Sequence, residues 1–95
     1  MDCVESWKEI LSQLVDVEVR AAILLGMIMG AAEFCRNRNI PECVEKAEAR
    51  ADAIKQLIAE IRAHVEVLQK HCNEEEYVQY IAKKAELFKA ALASL

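Results

Sequence analysis

The cysteines and histidines of this sequence, which can form covalent bridges or bind metal, number six: Cys3, Cys35, Cys43, Cys72, His64 and His71. Two antiparallel helices joined by a short turn would place Cys3 beside Cys72 and set Cys35 and Cys43 on either side of the turn. The four cysteines then form two nested candidate disulfides. The outer bridge would close a loop of about 70 residues and contribute roughly 4 kcal/mol through chain entropy, given relaxed geometry. Cys43 flanks its apolar seam, which makes the inner pair the less secure of the two. Four buried thiols are the competing arrangement, since free cysteine is among the most buried residue types.

The histidines do not extend this set to a metal centre. The Glu-x-x-His motif of bundle metal sites is missing, because Ile61 precedes His64 at that spacing and Leu68 precedes His71. On one helix the two imidazoles lie roughly 10 Å apart along the axis. Glu60 with His64, or His71 with Cys72 and Cys3, lacks the paired-cysteine spacing of a zinc site. Both histidines are expected to flank the seam and touch Gln13 and Ser6 of the first helix. Catalytic signatures are equally missing: no Gly-rich phosphate loop, no nucleophile elbow and no Ser/His/Asp set is present. Glu18 and Glu33 read as surface carboxylates, paired with Arg20 or with basic groups of a neighbour. No enzyme activity and no cofactor are expected.

Chemistry at this density depends on the elements that carry it, and the composition points to helices. Thr is absent, Gly occurs twice and Pro once, while Ala, Ile, Leu, Val, Glu, Lys and Arg dominate. The same Glu/Lys/Arg-rich composition leans toward a thermophile, whose intracellular proteins can hold disulfides. Asp2 with Glu5 reads as a capping box opening a helix near residue 3. Cys3, Trp7, Ile10, Leu14, Val17, Ala21, Leu24, Ile28, Ala31 and Cys35 then step by threes and fours. Arg36 to Asn39 supplies cations for the helix end and turn-tolerant residues, and Pro41 suits the first turn of the next helix.

Val44, Ala47, Ala51, Ile54, Ile58, Ile61, Val65, Leu68 and Cys72 form the second seam. Asn73 with Glu76 reads as a second capping box, opening a third helix that carries Val78, Ile81, Ala85, Phe88, Leu92 and Leu95. The expected architecture is one all-α domain over 1–95, an antiparallel three-helix bundle with helices at about 3–36, 41–72 and 74–94, completed by oligomerisation. Short turns set Leu14 opposite Ile61, Ala21 opposite Ile54 and Ile28 opposite Ala47.

This register leaves one stretch in need of cover. Residues 21–34, AAILLGMIMGAAEF, hold a single charge, Glu33. The third helix ends at the layer of Leu24 and Ala51, so Ile23, Leu25, Met27, Met29 and Phe34 would face water in a monomer. Ala22, Gly26 and Gly30 recur every four residues beside them and would admit a close partner helix. A second copy is the expected cover, as a two-fold dimer. The competing arrangements are a different protein, or a third helix folded over the stretch within one chain.

The function expected from these features is a homo-oligomeric structural or adaptor module. The alternative is a nucleic-acid-binding regulator using Arg36, Arg38, Lys46 and Arg50 at the hairpin end. A net charge of −4 and the lack of nearby aromatics other than Phe34 argue against that alternative. The opening MDCVESWKEI breaks any apolar run with charges, and no stretch reaches the length of a membrane span, so a cytoplasmic protein with no membrane association is expected.

Overall fold

The computed structural model describes residues 7–95. Three helices make up the fold: α1 (Lys8–Asn37), α2 (Pro41–His71) and α3 (Glu75–Ala93). They pack side by side as an elongated body of 56 × 19 × 17 Å. The helix start expected near residue 3, the Asp2–Glu5 capping box and Cys3 lie outside the described residues.

The first turn follows from three adjacent residues. Asn39 adopts φ 55°, a left-handed conformation that asparagine tolerates better than most side chains. With it there, the Ile40 N–H donates to the Cys35 carbonyl at 3.0 Å and the Asn39 N–H to the Arg36 carbonyl at 3.1 Å. This is the Schellman arrangement, which satisfies carbonyls that the end of α1 would otherwise leave open. Pro41 then occupies the first turn of α2, where its missing N–H costs nothing.

The second turn departs from expectation. Glu74, rather than Asn73, precedes α3, and no side chain caps its backbone. The Asn73–Glu76 capping box therefore does not form, and the Glu74 carboxylate lies 2.9 Å from His71 Nδ1. Glu75 and Glu76 still sit in the first turn, at the positive end of the helix dipole.

Two apolar clusters run along the axis. The lower one lies where three helices meet and joins Leu14, Val17, Ile61, Leu68, Val78, Ile81 and Phe88 with Leu57, Cys72 and Ala85. The upper one lies toward the 38–40 turn and joins Ala21, Ile28, Ala32, Ala47, Ala51, Ile54 and Ile58. Leu92 of α3 and Leu95 just beyond it reach the boundary and pack on both. Alanine supplies four of the seven buried residues of the upper cluster because two helices without a third enclose little volume between them, although Ile54 is fully buried there.

The expected facing pairs Leu14/Ile61, Ala21/Ile54 and Ile28/Ala47 each fall within one cluster. One seam position is corrected. Ala32 is buried and Ala31 exposed, because a straight helix repeats every 3.6 residues and drifts off a strict heptad by the top of α1. Leu57, outside the expected seam, is buried because it faces α3.

Candidate interaction surface

The side of α1 that points away from the bundle carries a continuous apolar strip. Ile23, Met27, Met29 and Phe34 are 61%, 68%, 51% and 57% exposed, and Ala22, Gly26 and Gly30 lie open among them. Leu25, expected to share this face, is instead half-buried against the upper cluster. Two residues not anticipated from the sequence extend the strip downward: Val15 and Val19, 42% and 51% exposed. Steps of four residues from Ile23 back through Val19 to Val15 were a usable signal, hidden by the charged neighbours Asp16, Glu18 and Arg20.

Val15 and Val19 also correct the reason for the exposure. They neighbour Leu14 and Val17 in the three-helix half of the molecule and are open nonetheless. The strip is therefore the outward face of α1, bordering α2 only along its Gly26, Met29 and Gly30 edge, and its exposure does not depend on the length of α3. Gly26 and Gly30 are equally unexplained by packing within the chain, since a Cβ added at either would meet nothing within 4 Å.

The four cations of the hairpin end do not form one patch. Arg36 pairs with Glu48 at 3.0 Å, and both line a groove of about 700 Å³ shared with Gly26, Gly30 and Asp52. Arg38 stacks over the Phe34 ring, 4.9 Å from its centre. Lys46 and Arg50 border a separate depression with Glu42. Acidic side chains interrupt the positive charge on each side, which removes the uniform field a polyanion surface needs.

The cysteines divide as follows. Cys35 and Cys43 form a disulfide across the hairpin turn, with Cα atoms 5.8 Å apart. Cys72 is fully buried and is not a free thiol. Its expected partner Cys3 lies outside the described residues.

The histidines meet side chains of α3 and of the second turn. His64 meets Tyr80 edge-on, with ring centres 6.0 Å apart, and tilts against Phe88 at 5.6 Å. Burial lowers its pKa, the Lys84 ammonium lowers it further, and Glu60 acts in the opposite direction. His71 spans the second turn to Glu74 and presents an edge to Tyr77, while Ser6 lies outside the described residues. Tyr77 donates to the His64 carbonyl at 3.5 Å, and burial raises its pKa, with Tyr80 adding to the shift. Both helices use their aromatic rings to seal α2 against α3.

Among the described residues no three His, Cys, Asp or Glu side chains converge to hold a metal ion, and no helix is long and apolar enough to cross a membrane. No protein-family model, curated protein or solved structure matches the chain.

Proposed function

We propose that this protein is a non-enzymatic structural or adaptor module that self-associates, as a two-fold dimer, through the outward face of α1. The observation that carries this reading is the pair Gly26 and Gly30. Each costs about 1 kcal/mol relative to alanine in a helix interior, and neither has a neighbour in the protomer that requires it. A second helix pressed against the strip supplies the reason, because glycines let two backbones approach closely. Ile23, Met27 and Phe34 beside them then leave water, each worth roughly 1.5 to 3 kcal/mol when fully buried.

The Cys35–Cys43 bridge suits either an oxidising compartment or the disulfide-tolerant cytoplasm of a hyperthermophile. The Thr-free, Glu/Lys/Arg-rich composition supports the second, and we assign the protein there.

Sedimentation of the native chain over a range of concentrations tests the reading. A dimer that Gly26→Leu with Gly30→Leu converts to a monomer of unchanged helicity is the expected result. A native chain that sediments as a monomer throughout overturns it.

A further inference from the structure

Helix α2 carries one stripe along its length whose two halves meet different fates. In the lower half, His64 lies against Tyr80 and Phe88 of α3, and Leu57 and Ala53 line a recess with Ala91 and Leu95. Continuing upward at the same helical spacing come Arg50 and Lys46. Beyond Leu95 the same side of the α1–α2 pair is an open depression of about 420 Å³ floored by Ile28, Ala31, Ile40 and Ala47. Its lining runs from Arg50 to Ile40, about 15 Å at the helical rise, or some three turns.

The two ends of this groove set the chemistry of what fits it. Its floor is apolar and its lower half is already filled by a helix, so its shape suits another helix laid in line with α3. Its α2 border carries two cations, with one carboxylate, Glu42, toward the turn. Lys46 and Arg50 stand one turn apart, and among the described residues neither makes an ion pair. A neutral helix seated there would desolvate two charges without compensation, whereas carboxylates at a matching spacing of four residues would meet them. Glu42 lies at the turn end of the groove and favours the N-terminal end of the incoming helix, where the dipole is positive.

The groove is also held in shape while empty. Cys43 lines it and is bridged to Cys35, which ties α1 to α2 where no third helix supports them. A receptor prepared in this way spends less of its binding free energy on ordering.

We propose that the α1–α2 groove above α3, floored by Ile28, Ala31, Ile40 and Ala47 and bordered by Lys46 and Arg50, seats an acidic amphipathic helix of a partner protein. This surface is distinct from the outward strip of α1 and does not rely on self-association.

The test uses a synthetic peptide of about fifteen residues, long enough to form a helix on binding. It carries a Leu/Ala stripe with glutamates four residues apart along one edge, and a second peptide has lysines in their place. Methyl resonances of Ile28, Ala31 and Ala47 in the full chain report groove occupancy, and those of Ile23 and Met27 report the outward strip. The acidic peptide is expected to shift the first set and spare the second. Lys46→Glu with Arg50→Glu, two exposed changes checked for unaltered helicity, is expected to weaken it at least tenfold. The proposal is overturned if the acidic peptide fails to bind, if the lysine peptide binds as well, or if the shifts fall on Ile23 and Met27. It is equally overturned if Ile28 and Ala47 shift with protein concentration alone, because the occupant would then be a second copy of this chain.

Discussion

Cys35 in the last turn of α1 and Cys43 in the first turn of α2 are joined by a disulfide that spans the hairpin, with their Cα atoms 5.8 Å apart. The link encloses the Schellman turn built on Asn39, so the hairpin end is held by one covalent and several backbone interactions. The Arg36–Glu48 ion pair adds a second side-chain link between the same two helices.

Replacing both residues by serine is therefore expected to destabilise the protein by about 2.5 kcal/mol, the chain-entropy value for so short a loop. Thermal melts of the Cys35→Ser, Cys43→Ser double variant without reductant would measure it. An unchanged midpoint would mean that the Asn39 turn alone secures the hairpin.

His64 makes stability depend on pH with a definite sign. Its folded pKa lies below the usual 6.5, mainly through burial against α3. As pH falls, the unfolded chain takes up this proton first, so the stability His64 contributes is complete above 6.5 and is lost as acid titrates it through its lower folded value. Urea unfolding midpoints should fall across that window, and His64→Phe should flatten the profile there. A His64→Phe profile parallel to the native one would refute the assignment.

Core and strip should respond oppositely to truncation. Ile61 is fully buried in the lower cluster, and Ile61→Ala is expected to cost about 2 to 5 kcal/mol. Met27→Ala, on the outward strip, should change protomer stability by less than about 0.5 kcal/mol. Chemical denaturation at low protein concentration separates the two, and its concentration dependence reports any contribution of Met27 to association.

Gly26→Ala with Gly30→Ala offers a finer probe of the same strip. The added methyl groups meet open space in the protomer, so helix propensity alone should stabilise it by roughly 1 kcal/mol per site. Under the proposed dimer, the same change should raise the dissociation constant by separating the two backbones. Denaturation of dilute protein and sedimentation of concentrated protein would read the two effects independently.

Much of the bundle was legible before any coordinates. The steps of three and four from Leu14 to Cys35 and from Ala47 to Leu68 mark the buried sides of α1 and α2, because the helical repeat returns a side chain to the same face at those intervals. Asn39 and Pro41 mark the first turn because their backbone preferences match its geometry. Two positions depart from that pattern. Glu74 rather than Asn73 precedes α3, and its carboxylate meets His71 across the turn. Ala32 replaced Ala31 because a straight helix drifts off the heptad over its length.

The candidate surfaces divide along the same line. That residues 21–34 hold more apolar side chains than one core face can use is a property of composition, and it was plain from the order of residues. Which of them remain open was not. Leu25 turns inward, Val15 and Val19 join the outward strip, and Arg36, Arg38, Lys46 and Arg50 disperse, because each angular position matters only once the neighbouring helices have taken their sides of α1 and α2. Periodicity specifies which residues share a face, while packing in three dimensions decides what that face meets.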